Sequence, residues 1–284
     1  MKLTRQLSTL AGCLAAYLLS PGTMAQPTSS PEEVLLALIN ETGSSYLTQS
    51  EQNLMMMADS PAYWTVEDGA DLFYTERGPN NVTLEGCDFG KGPGVVEGVY
   101  VELPRYFADT NQVMDLESRL VHCMTTLQGF SPDDPAVAER HGSGSDMMKL
   151  QAFISNQSNG FAWNTPLDHP LEKAFRDAGE VMFKRRAGPM DFACTTCHSD
   201  TGKRIRASVL PNISNANEWT KAISWPAFRV GQDNLRSSTH RVRGCYWQMR
   251  QAQVVAGSDA AIALMSYWTD AARGAPAILP DMKR

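Results

Sequence analysis

A mainly α-helical fold in two domains is what this 284-residue sequence predicts. Three observations carry that expectation. Apolar residues recur at three- and four-residue spacing in several separate segments, the period of helices with one buried face. A polar stretch, Asn156-Gln157-Ser158-Asn159-Gly160, divides the chain near its middle. The run Cys194-Thr195-Thr196-Cys197-His198 then places a Cys-x-x-Cys-His motif in the second half, the covalent attachment site of a c-type haem.

The chain opens on a leader. Met1-Lys2-Leu3-Thr4-Arg5 is a short basic start, Leu7 to Leu19 is mostly apolar, and Thr23-Met24-Ala25 offers small residues where a signal peptidase reads. Residues 1–25 are therefore expected to be removed on export to the periplasm. Leu10-Ala11-Gly12-Cys13 resembles a lipoprotein processing site, but the apolar run before Cys13 is very short. The apolar stretch is also too short for a permanent membrane span, so no membrane association is expected. Losing Lys2 and Arg5 leaves 23 bases against 31 acids, taking the formal charge from −6 to −8. An acidic exported protein is not a nucleic-acid binder.

Residues 26–155 form the first expected domain. Pro31-Glu32-Glu33 followed by the apolar run Val34 to Ile39 reads as a helix start. Gly86 to Leu103, Gly-rich with β-branched residues, reads as loops plus a short strand. Asp115 to Leu127 and Asp146 to Ile154 carry helical spacing. Cys87 and Cys123 share this half. In an oxidising compartment they can close a disulfide worth about 3–4 kcal/mol, or remain two buried thiols. No internal sequence repeat is evident, although two helical halves can share a plan.

Residues 156–284, the second domain, read as a small cytochrome c. His169 to Arg186 is an amphipathic helix leading to the haem motif, with Gly179 where a close helix crossing needs a small residue. Asp259 to Ala272 closes the domain, with Leu264, Tyr267 and Trp268 on its apolar side as ordinary core. In the motif itself, the thiols of Cys194 and Cys197 add across the haem vinyl groups and His198 binds iron. A thioredoxin-like pair or half a zinc site would use similar residues, but no βαβ pattern and no second Cys pair accompany them.

The sixth ligand is less plain. Met182, Met190, Met249, Met265, His169, His240 and Cys245 are available; Met182, Met190 and Met265 read as core and His169 as a helix opener. The segment from Ser237 to Arg250 sits about 50 residues after His198, where a distal ligand normally arises, and holds one thiol amid three arginines: Arg241, Arg243 and Arg250. Arginine charge favours a thiolate, which is both nucleophile and iron ligand, and guanidinium forks suit a sulfonate. The alternative is a buried Cys beside arginines paired with some of the 31 acids.

These residues carry a resemblance. Cys-Thr-Thr-Cys-His at 194–198, Arg241-Val-Arg-Gly-Cys-Tyr-Trp-Gln-Met-Arg250, Gly86-Cys87-Asp88-Phe89 and Glu117-Ser118-Arg119-Leu120-Val121-His122-Cys123 together resemble the SoxA subunit of the SoxAX cytochromes, over nearly the whole mature chain. The resemblance implies two cytochrome c-like domains and an L-cysteine S-thiosulfotransferase that couples thiosulfate oxidatively to a carrier cysteine, giving a cysteine S-thiosulfonate. It implies one covalently bound haem c with His198 and Cys245 as axial ligands, Cys245 carried as a cysteine persulfide, and Arg241 in catalysis; Arg243 is a candidate for holding the sulfonate. It implies a heterodimer with a SoxX-like cytochrome, a SoxYZ-like sulfur carrier and a small electron-acceptor cytochrome. Many members bind a second haem in the first domain. This chain lacks that motif, so the resemblance implies a haem-less N-terminal domain in which a Cys87–Cys123 disulfide takes the haem's place. Two competing readings are a monohaem electron-transfer cytochrome with Met249 or another side chain as sixth ligand, and a structural subunit without catalysis.

Overall fold

Helix α1, Pro61–Tyr74, opens the structure, a computed structural model that describes residues 61–205 and 208–283. The leader, Cys13 and the expected helix through Val34 to Ile39 lie outside the described residues. A hairpin of β1, Arg105–Phe107, and β2, Gln112–Met114, turns through Asn111 in the left-handed region. Between Gly86 and Leu103 the chain makes short 3-10 turns and one isolated bridge, so the strand expected there forms later, as β1. Helix α2, Leu116–Thr126, starts where Asp115 accepts from the Ser118 N–H. After the single turn α3, Pro135–Ala138, helix α4, Asp146–Asn156, is capped by Ser145.

The second half begins with α5, Pro170–Lys184. His169 caps it: its Nδ1 accepts from the Leu171 N–H and its own N–H donates to Glu172. The haem motif forms the short helix α6, Cys194–His198. A small hairpin follows, β3 Arg204–Ile205 with β4 Ser208–Val209, and then α7, Ala216–Ile223, which the sequence did not mark. Strands β5, Ala227–Arg229, and β6, Asn234–Arg236, pair antiparallel ahead of α8, Ser238–Gln248. Helix α9, Asp259–Ala271, precedes β7, Asp281–Lys283, which joins β5 in parallel so that Arg229 lies opposite Lys283.

Each half is built on one helix crossing that only glycine permits. A Cβ on Gly179 of α5 would lie 1.9 Å from the Ala263 carbonyl oxygen of α9, and one on Gly69 of α1 would lie 2.0 Å from that of Lys149 on α4. The parallel goes further. Gly78-Pro79 and Gly188-Pro189 open matching loops, with Asn81 and Asp191 both left-handed. Arg77 bridges Val82 and Ala187 bridges Phe192. The carbonyls of Val82 and Phe192 each accept from a glutamine amide, Gln128 and Gln251 respectively. Two halves with no evident sequence repeat thus share a crossing, a loop and its clasp.

The segment after α4 is bonded in place rather than a free tether. Ser158 Oγ accepts from the Tyr100 N–H, Gly160 N–H donates to Ala277 and Trp163 N–H to Ala275. Glu172 accepts from the Tyr106 N–H across the halves, and a single apolar core runs through both. Cys87 and Cys123 are joined as a disulfide, both sulfurs buried in that core. Among the described residues no helix is long and apolar enough to cross a membrane.

Candidate functional site

Loop closure fixes the haem motif. The Ala193 N–H donates to Thr196 Oγ1 at 3.0 Å, starting α6 in the β-conformation at Ala193. His198 Nδ1 donates to the Pro211 carbonyl at 2.9 Å, which selects the tautomer and leaves Nε2 for a metal. Trp219 meets the ring edge-on at 5.2 Å, with Phe183 at 6.4 Å, and Trp219 is itself held by its Nε1–H donating to the Trp268 carbonyl. Burial keeps the imidazole below its ordinary range, and Arg241 and Lys203 add to that; the Pro211 bond opposes it. The neutral ring that results is the form that ligates.

Burial pushes Cys194 up to about 12, and Cys197 moves in the same direction; for both, a charge on Cys245 adds to the effect. Reactive redox Cys-x-x-Cys pairs lower their thiol values, the opposite direction. Cys245, on α8, is thus near enough to couple electrostatically with both thiols of α6. Arg241 lies one helical turn before Cys245 and acts on His198.

Arg229 joins this group from β5. It is half-buried, which lowers its affinity for a proton; Arg241 acts in the same direction and Cys245 opposes it. Among the described residues no carboxylate lies in ion-pair range of Arg229, Arg236, Arg241, Arg243 or Arg250. Sequence reasoning missed Arg229 because its place depends on the pairing of β5 with β7. Arg243 points elsewhere: its Nε donates to Gln253 and it acts on His141 and His240.

The other ligand candidates have separate duties. His169 caps α5 and stacks on Tyr106 at 3.7 Å. His240 packs edge-on against His141 at 5.7 Å. Met182 packs against the core, Met190 is exposed, and Met265 lies beside Ser238 Oγ. Met249 is buried at the C-cap of α8. A covalently held haem fits the residues present: two thiols on one turn, an imidazole with Nε2 free, aromatic walls and a third sulfur on the facing helix.

Known proteins resemble this chain over most of its length, while the family profile covers the first half and not the haem motif. A family profile described as SoxA/TsdA, cytochrome c domain, matches residues 68–162. The L-cysteine S-thiosulfotransferase subunit SoxA of Hydrogenophilus thermoluteolus is 40% identical over 243 residues, covering 82% of this chain and 87% of that one. The subunit of the same description from Hydrogenobacter thermophilus is 30% identical over 233 residues, with the same two coverages. Among solved structures, SoxXA from P. pantotrophus matches with a TM-score of 0.65 and 26% identity, over 80% of each chain.

Proposed function

The chain belongs to the SoxA family, and we propose that it is the catalytic cytochrome subunit of an L-cysteine S-thiosulfotransferase acting in periplasmic thiosulfate oxidation. The observation that carries this reading is Cys245 coupled to both thiols of the haem motif, with Arg241 one turn away and Arg229 coupled to Arg241 and Cys245, none of these arginines being paired with an acid among the described residues. Residues 26–155 and 156–284 are read as two cytochrome c-like domains, the first without haem.

Net, thiosulfate and a carrier thiol give a cysteine S-thiosulfonate, one proton and two electrons. Cys194 and Cys197 would hold the haem as thioethers, and His198 Nε2 and the Cys245 sulfur would ligate its iron. When bound, the haem would supply an electron-accepting iron, and a small acceptor cytochrome would take up the two electrons. Arg241 and Arg229 hold the sulfonate oxygens and orient the sulfane sulfur toward Cys245. With Cys245 as a persulfide, the terminal sulfur bonds to the sulfane sulfur as two electrons leave. The carrier thiolate then attacks that sulfane sulfur, taking the S-thiosulfonate and restoring the persulfide. The match to SoxXA supports a heterodimer with a SoxX-like subunit.

Cys245→Ala tests the reading in the purified heterodimer. Thiosulfate-dependent conjugation should vanish. Near-normal turnover would remove Cys245 from the mechanism.

A further inference from the structure

Helix α8 has a second working face. Arg241 and Cys245 share the edge turned to the haem motif. His240, Arg243, Trp247 and Arg250 follow one another at spacings of three, four and three, a separate stripe. Trp247 is 57% exposed, a large apolar surface to leave in water. Arg250 stands just past the C-cap with φ +57, and this left-handed turn folds its guanidinium back over the Trp247 ring at 4.6 Å from the centroid. Its Nη1 also donates to the Trp247 carbonyl. The indole is thus held outward in one pose by a side chain that gives up a left-handed backbone to hold it.

Charge says what fits there. Residues 234–258 contain no acid and four arginines, in a chain of formal charge −6. None of the four has a carboxylate partner among the described residues, and Arg236 and Arg243 bond only glutamine amides, those of Gln232 and Gln253. Like charges crowded together without counter-charge are unfavourable in the isolated subunit and favourable against an acidic surface, where they also steer encounter. Tryptophan and arginine are the residues that anchor protein interfaces.

We propose that the Arg243–Trp247–Arg250 ridge docks an acidic patch on the protein that carries the acceptor cysteine. This rests on the functional reading above: the protein whose thiol must reach the Cys245 edge passes alongside the neighbouring face of the same helix. Docking by the ridge and chemistry by the edge are then separable.

The test uses the purified heterodimer with two acceptors, a SoxYZ-type carrier protein and free cysteine, and compares wild type with a Trp247→Ala, Arg250→Glu double variant. Both positions are exposed, so the fold should survive. The expected result is a loss of at least about tenfold in kcat/KM for the carrier, with its salt dependence flattened. The rate with free cysteine and the KM for thiosulfate should stay unchanged. Unchanged carrier kinetics would overturn the proposal, as would an equal loss with both acceptors. Dissociation of the cytochrome subunit on gel filtration would overturn it too, assigning the ridge to the heterodimer instead. A wild type that conjugates neither acceptor would overturn the functional reading, and the docking proposal with it.

Discussion

Replacing Gly179 by alanine should destabilise the protein and disturb the haem site, against the ordinary rule. In a free helix alanine is the better residue by roughly 0.5–1 kcal/mol. At the α5–α9 crossing the new Cβ would sit 1.9 Å from the Ala263 oxygen and 2.9 Å from the Tyr267 Cβ, whereas ordinary contact begins near 3.4 Å. The helices must therefore part by about 1.5 Å at that point. Phe183 and Leu264 are each 1% exposed in this half, and Phe183 meets Tyr267 at 5.4 Å. A gap of that size forfeits at least about half of each dispersion contact across it, and the overpacking cost is about 2–3 kcal/mol. For a chain of this length that lowers Tm by roughly 5–10 °C. Because Phe183 flanks His198, α5 cannot shift without moving a wall of the ligand ring. Denaturant unfolding followed in parallel by far-ultraviolet circular dichroism and haem absorbance reads both effects. Gly69→Ala is the control: its Cβ meets Lys149 at 2.0 Å, so it should lose comparable stability with an unaltered haem spectrum. A Gly179→Ala protein as stable as wild type would refute the crossing as the constraint on this half.

Three further outcomes follow from the same structure. Cys123→Ser opens a loop spanning 36 positions of chain and should cost about 3–4 kcal/mol in denaturant unfolding, while intact mass still shows one haem; undiminished stability would refute the disulfide's role. Glu117 is raised to about 7 by burial first and by Asp115 second, with Arg140 opposing. Below its unfolded value of 4.5 the carboxyl is neutral in both states, so stability is full there and falls as pH rises through about 7; Glu117→Gln should flatten that fall, and parallel pH profiles of the midpoint would refute it. Arg229→Ala should lower kcat/KM for thiosulfate by about tenfold or more, only partly restored by lysine, and unchanged kinetics would exclude Arg229 from the site.

What the sequence made legible was what local chemistry encodes. The cap residues Asp115, Ser145, His169 and Ser258 sit at the starts of the four helices expected from apolar spacing, because a cap bond involves only neighbours in the chain. The Cys-x-x-Cys-His run is legible for the same reason. Helix α1 carries a thinner signal: Pro61 stands at its first position, but its first turn holds no acid and its last turn no base. Gly69 within it is tolerable only because the crossing exists. The polar stretch at 156–160 reads as a linker, yet its hydrogen-bond partners, Tyr100, Ala277 and Asn159 with Leu279, come from both ends of the chain. Arg229 is hidden in the same way, since the sequence does not say that the last strand will pair beside it.

The likeness of the halves escaped notice because it resides in a few backbone-fixing residues, and those residues explain why chemistry belongs to one half only. Counted from the clasped carbonyls of Val82 and Phe192, Cys87 stands at the place of Cys197, Leu84 at that of Cys194 and Asp88 at that of His198. Leu84 is fully buried and offers no thiol. Asp88 Oδ1 accepts from the N–H groups of Gly90 and Gly92, and its carbonyl accepts from Arg119, so it is consumed by its own loop. Cys87 is bonded to Cys123, which precedes Gln128 much as Cys245 precedes Gln251. In the first half each group therefore finds its partner within the scaffold, and the result is a closed, cross-linked core. In the second half the matching positions are two cysteines outside any disulfide and an imidazole held by one nitrogen, with a third unbridged cysteine on α8 coupled to both cysteines. The same crossing and clasp serve stability in one half, and in the other they hold groups whose bonding capacity is left for a cofactor and a substrate.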